Sequence, residues 1–150
     1  MKSNAMETDR IPYFAYGSNM CPEQMRERCP GAEPVGPAQL DGFSFLINER
    51  GVATIRSAAD RTVWGVLWRI SPADEAQLDL REGVKQSRYE KKLLNVSGGD
   101  GVLHALVYQD QRLRLGSPRP GYMTRVLNGA RTFALPQPYI KSLLYWDRAD

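Results

Sequence analysis

Residues 13–20, YFAYGSNM, end a short apolar run in Gly-Ser-Asn and pass at once into a polar segment headed by Pro22. A strand that stops at Gly17 and enters a helix turns several backbone N–H groups in one direction, beside a helix N-terminus. Glycine lets the chain take an unusual φ and lets a ligand approach the backbone closely. Such a loop can hold a carboxylate or stabilise an oxyanion. Gly-Ser-Asn is also good turn and cap chemistry, so the loop by itself leaves both readings open. The second stretch of interest is LDLREGVKQSRY, residues 78–89, in which Glu82 stands directly before Gly83. A carboxylate at a helix C-terminus is mildly disfavoured by the dipole. A glutamate there is less easily dismissed as decoration, although a solvated turn carboxylate is the simpler account of the pattern.

Other chemistries find little support. Cys21 and Cys29 are the only cysteines and His104 the only histidine. Two thiols eight positions apart, with no second Cys/His pair, do not make a zinc site, and no metal is expected. His104 lies inside the apolar run VLHALVY and reads as a hydrogen-bonded structural histidine, which leaves no partner for a Ser-His-Asp triad. Ser18 has no neighbouring base to activate it as a nucleophile. The formal net charge is +3, and Arg112, Arg114, Arg119, Arg125 and Arg131 are dispersed through the C-terminal third. No RNA-binding signature accompanies them, so a solvated basic surface is expected rather than a nucleic-acid partner.

The elements that must position Tyr16–Asn19 and Glu82 follow from periodicity. PYFAYG is a short strand, and CPEQMRERC a helix with Pro22 near its start, where the missing N–H is harmless. QLDGFSFLIN puts Phe43, Phe45 and Ile47 on one face of a strand; GVATI and TVWGVLWRI continue the β pattern, the latter with Trp64, Val66, Trp68 and Ile70 aligned. SPADEAQLD opens a helix with Ser71 as N-cap, Pro72 in the first turn and Asp74 three after the cap, and Gly83 stops it. YEKKLLNV and VLHALVYQ form two more strands across the turn SGGDG. The end is helical, with Met123, Val126, Leu127, Ala130 and Phe133, then Ile140, Leu143 and Leu144, at helical spacing. Strands clustered mid-chain with helices at the ends predict an α+β fold. It is a single domain over residues 10–150, a small mixed β-barrel-like sheet of about six strands flanked by helices. Residues 1–9 read as a tail, with SNA before Met6 as an expression remnant. No apolar run approaches the roughly 20 residues of a membrane helix. The N-terminus lacks the apolar centre of a secretory signal. A cytoplasmic protein with free thiols is therefore expected.

YGSNM, GVATI, VWGVLWRI, LDLREGVKQSRYEK and SPRPGYMTRVLNGA together resemble, in order and approximate spacing, the gamma-glutamylcyclotransferases, over roughly residues 12–147. The resemblance implies a small barrel with a central pocket and a reaction without metal or cofactor. In that reaction the α-amine of a γ-glutamyl amide or peptide attacks its own γ-carbonyl, releasing 5-oxoproline and a free amine or amino acid. Carried over by position, it implies that Tyr16, Gly17, Ser18 and Asn19 line the pocket and that Glu82 transfers the proton. Tyr89 and Tyr122 match tyrosines of the family's pocket, with core packing as the alternative for both. The implied partner is the small substrate, in a monomer or homodimer. A non-catalytic module of the same fold, binding a small amino acid or amide through the YGSN loop, is the competing reading. One departure stands out: Arg88, just before Tyr89, brings bulk and charge where the family's glutathione-acting members tend to have smaller residues. It either selects an acidic leaving group or points to solvent. Arg81 is expected to face away from Glu82, as neighbours in extended chain do.

Overall fold

The computed structural model describes residues 10–99 and 101–147; the tail reading of residues 1–9 lies outside the described residues. Five strands close into a barrel in the order β1 (Ile11–Ala15), β3 (Ala53–Ile70), β2 (Glu33–Ile47), β4 (Tyr89–Gly98) and β5 (Gly101–Asp110). Every pairing is antiparallel except β1 with β5, whose parallel contact, Tyr13 opposite Leu106, closes the ring. Four helices flank it: α1 (Pro22–Arg28), α2 (Pro72–Glu82), α3 (Tyr122–Thr132) and α4 (Gln137–Asp147). This is the expected α+β barrel with one strand fewer.

The missing strand is a missing break. GVATI and TVWGVLWRI belong to one 18-residue strand, because residues 56–62 contain no glycine or proline to end it. The irregularity is a bulge within β3, opposite a single residue of β2. Register shifts between Asp41 and Phe43, at Gly42 with φ +87°, so residues 58–61 bulge without leaving the sheet. A second shift lies between Pro34 and Gly36. Bulges of this kind add the local bend and twist that a five-stranded ring requires.

The core fills the barrel and the space under the helices. Phe14, Ile55, Val63, Val66, Ile70 and Val107 are fully buried from the strands, and Met20, Met25, Leu78, Val126 and Leu143 join them from the helical side. The apolar stripe of α3 falls where its spacing placed it, with Met123, Val126, Leu127 and Ala130 buried. Gly129 lets α3 lie directly on the 3₁₀ turn Ser18–Met20, since a Cβ there would come within 2.4 Å of Met20. In α4, Ile140 and Leu143 are buried whereas Leu144 is exposed. His104 is not the bonded core histidine expected. It stands opposite Asn95 near the turn end of the β4–β5 hairpin, where alternation turns it to solvent.

The capping box of α2 forms as read: Ser71 Oγ accepts from the Asp74 N–H at 3.1 Å, and Asp74 Oδ2 accepts from the Ser71 N–H at 3.2 Å. Gly83 ends the helix in the left-handed conformation, φ +66°. This punctuation leaves Glu82 as the final helical residue, at the same end of the barrel where β1 and β5 finish and β3 and β4 begin.

Candidate active site

At that end lies a cavity of about 260 Å³, to which Tyr16, Gly17, Ser18, Asn19, Glu82, Tyr89 and Tyr122 all contribute. Residues more than a hundred positions apart are thereby brought to one pocket. Its other walls come from Tyr13, Gln24, Arg28, Arg50, Ala53 and Tyr108, among others.

The YGSN loop is held from beneath by side chains. Asn19, buried, donates through Nδ2 to the Tyr13 hydroxyl at 2.9 Å. Its Oδ1 accepts from Gln24 Nε2 at 2.8 Å and from Arg28 Nη1 at 3.0 Å. Gln24 Nε2 also reaches Ser18 Oγ at 2.6 Å. The carbonyls of Gly17 and Ser18 accept from the N–H groups of Met20 and Cys21. The Gly17 and Asn19 N–H groups have no acceptor among the described residues. Gly17 is not there for a left-handed φ, since it sits at φ −110°. A side chain is excluded by proximity, because a Cβ would lie 2.7 Å from the Tyr122 hydroxyl and 3.2 Å from the Ala53 Cβ.

The tyrosines clamp the facing backbone. Tyr122 Oη accepts from the Ala53 N–H at 3.0 Å, and Tyr89 Oη donates to the Ala53 carbonyl at 3.0 Å. Tyr16 Oη donates to the Tyr108 carbonyl at 2.5 Å. Burial pushes the Tyr13, Tyr16, Tyr89 and Tyr122 hydroxyls above their ordinary range. All four stay protonated, and therefore usable as donors, at any neutral pH.

Glu82 is the sole carboxylate among the described residues that line this cavity, and no hydrogen bond or ion pair to another described residue ties it down. Burial pushes its carboxyl up to about 7. Arg28 and Arg50 pull in the opposite direction, and Asp110 adds to the rise. Asp110 is completely buried and pairs with Arg50 at 3.0 Å. That pair holds Arg50 above the Tyr89 ring, 5.8 Å from its centroid. Arg119, whose Nε donates to the Arg50 carbonyl at 2.8 Å, straps the segment before α3 to the Arg50–Gly51 turn.

Comparison with known proteins agrees with the geometry. The AIG2-like family pattern matches residues 62–143. The gamma-glutamylcyclotransferase of Mus musculus is 32% identical over 148 residues, spanning 91% of this chain and 79% of its own. That of Homo sapiens is 30% identical over 142 residues, 87% and 76% of the two chains. A solved structure described as gamma-glutamyl cyclotransferase superposes with a TM-score of 0.86 at 28% identity, over 94% of this chain and 89% of that one. The chain belongs to the gamma-glutamylcyclotransferase family of enzymes.

In this member of the gamma-glutamylcyclotransferase family, Arg88 takes the solvent-facing alternative and Arg81 departs from expectation. Arg88 does not line the cavity; it is exposed and its side chain packs over Gly83. Arg81 was expected to face away but lines the same cavity as Glu82. The two are helical neighbours at the end of α2 and not extended ones, so consecutive side chains diverge by about 100° rather than 180°. Sequence reading missed Tyr13, Gln24, Arg28, Arg50 and Asp110. Tyr13 and Gln24 lie within a few positions of the loop and share its faces, a signal that alternation and helical spacing could have carried. The Arg50–Asp110 pair, 60 residues apart, left no local trace.

Proposed function

We propose that this protein cyclises a γ-glutamyl amide in the Glu82 cavity, releasing 5-oxoproline and a free amine. The observation that carries the reading is one unpaired carboxyl, poised near neutrality, facing a loop whose amides at Gly17 and Asn19 are unclaimed. A volume of about 260 Å³ admits one amino-acid-sized group, just below the roughly 300–1,000 Å³ typical of ligand sites.

The substrate brings its own nucleophile. Ring closure is intramolecular, and much of the entropic barrier is met on binding. Glu82, ionised, takes a proton from the α-ammonium. The freed amine attacks the γ-carbonyl carbon, and the resulting oxyanion turns to the N–H groups of the 17–19 loop. The C–N bond to the departing amine then breaks as Glu82 returns the proton to that nitrogen. Glu82 carries the second proton of the attacking nitrogen the same way, so that the lactam is neutral and the amine leaves as its ammonium. One amide bond forms and one is lost, no water is consumed, and Glu82 ends as it began. Acid/base help of this kind is worth on the order of 10²–10⁴ in rate. Each oxyanion donor is worth roughly 10²–10³.

The hydrogen-bond directions support separate roles for the tyrosines. Tyr16 and Tyr89 spend their protons on the carbonyls of Tyr108 and Ala53, so they position backbone. Tyr122 accepts from Ala53 and also engages Ser18, so it ties the loop to β3 at the cavity wall. Asn19 holds the loop through Tyr13, Gln24 and Arg28, and Ser18 presents its hydroxyl to the substrate. A panel of γ-glutamyl dipeptides and amines, assayed for 5-oxoproline with the parent and with Glu82→Gln, tests the assignment. Product from the parent and none from the variant is expected; equal product from both would overturn the role of Glu82.

A further inference from the structure

The charge around the cavity exceeds what a γ-glutamyl group requires. Five arginines line it, Arg28, Arg50, Arg81, Arg119 and Arg125, against the one carboxylate of Glu82. Arg50 is paired with Asp110. The other four form no salt bridge among the described residues. They come from four separate places: α1, the end of α2, the segment before α3, and α3 itself. Arg28 and Arg81, in the last turns of their helices, also suit the helix dipole and could be explained by it. Arg125 cannot, because it lies near the N-terminal end of α3, where a cation is disfavoured. Arg28, Arg81 and Arg125 continue into a wider space of about 940 Å³ that shares Gln24 and Pro120 with the inner cavity. Arg26 joins them there, as do Glu23 and Glu27, which are exposed and line the wider space alone.

The γ-glutamyl group carries one carboxylate and one ammonium, so its net charge is zero. A simple amine as leaving group adds no negative charge, a neutral amino acid adds one, and an acidic amino acid adds two. We propose that Arg28, Arg81, Arg119 and Arg125 form a leaving-group subsite for an amine bearing two carboxylates, so that γ-glutamyl derivatives of acidic amino acids are the preferred substrates. The inference rests on the cyclisation reading for the position of the leaving group. It also moves the selection of an acidic leaving group from Arg88, which is outside the cavity, to four arginines that line it.

The discriminating pair is γ-glutamyl-glutamate against γ-glutamyl-glutamine, which differ by one charge at nearly equal shape. Binding is measured by calorimetry on Glu82→Gln, which is expected to fold and to turn over too slowly to consume the peptide during a titration. At about 20 mM salt the glutamate peptide should bind roughly tenfold tighter, and the ratio should shrink toward one at about 0.5 M, where exposed charges are screened within a few ångströms. The double variant Arg81→Gln/Arg125→Gln should bring the ratio toward one at low salt as well. A merely structural role for the arginines would weaken both peptides alike and leave the ratio unmoved. Equal affinities at low salt, or a preference indifferent to both salt and the arginine changes, would overturn the subsite. The parent is assayed in parallel for 5-oxoproline. A salt-sensitive preference with no 5-oxoproline from either peptide supports the subsite and refutes the cyclisation reading, so the two failures are separable.

Discussion

Glu82→Gln should lower turnover and raise stability, with a pH signature that identifies the cause. The carboxyl ordinarily titrates at 4.5 and is held at about 7 in the folded chain, chiefly by burial. A raised acid pKa means that the folded state favours the protonated form. The associated stability is fully present below pH 4.5 and is lost as pH rises through about 7. A shift of that size corresponds to about 3 kcal/mol at 1.36 kcal/mol per unit, and water in the open cavity reduces it to roughly 1–3 kcal/mol. Glutamine matches the protonated glutamate in shape and never acquires the charge. Parent and variant should therefore melt together near pH 4.5 and diverge progressively above it, with the variant ahead by roughly 2–10 °C at pH 8 for a chain of this length.

The matching kinetic loss should be on the order of 10²–10⁴ in kcat, with KM changed much less, because the proton transfer is needed only in the reaction. Scanning calorimetry across pH 4.5–8.5, alongside single-turnover assay of 5-oxoproline, reads both effects. Gain and loss come from one carboxyl group. A stability gain that is the same at every pH would mean that Glu82 is unfavourable for steric reasons and that its charge is not the issue. Unchanged turnover would refute the proton shuttle outright.

Four further changes test the surroundings. Gly17→Ala places a methyl 2.7 Å from the Tyr122 hydroxyl, and should cost roughly tenfold or more in kcat/KM by displacing the loop, with a small change in melting temperature. Tyr122→Phe removes the acceptor of the Ala53 N–H, and should lose about 1–3 kcal/mol of stability by urea titration as well as activity. Asp110→Asn leaves Arg50 without its buried partner, and should destabilise by somewhat less than the roughly 3–5 kcal/mol of a fully dry pair, because Arg50 keeps 21% of its side chain exposed. The same change removes a charge that raises the Glu82 pKa and frees a cation that lowers it, so the acid limb of kcat/KM should move below pH 7. Gly129→Ala drives a Cβ to within 2.4 Å of Met20, and should both destabilise α3 packing and slow turnover through the adjacent Ser18–Met20 turn, measured by thermal melting and 5-oxoproline assay.

Local grammar made the elements legible. Ser71-Pro72-Asp74 announced a helix start that forms as a reciprocal cap, and Gly83 announced its stop. The apolar spacing of α3 named its buried face. Where grammar is silent, reading failed. Nothing in residues 56–62 forbids or demands a turn, and the uninterrupted β3 follows from pairing with β2 on the far side of a bulge. His104 is apolar in context and exposed in fact, because the distal end of the β4–β5 hairpin extends past the packed core.

The site divides along the same line. Its chemically conspicuous residues, Glu82 and the YGSN loop, were visible because each breaks a local expectation: a carboxylate at the wrong end of a helix and glycine at the end of a strand. The residues that tune them obey every local rule. Arg50 is an ordinary turn arginine and Asp110 an ordinary strand-end aspartate until the barrel closes and buries the pair. Arg28 caps a helix suitably while its guanidinium holds Asn19 and draws the Glu82 pKa down. Tuning by charge acts across strands, between groups whose separation in sequence bears no relation to their separation in space. A candidate proton-transfer group can therefore be read from a motif. Its pKa depends on contacts that only the assembled barrel defines: burial raises that of Glu82, and Arg28 and Arg50 oppose the rise.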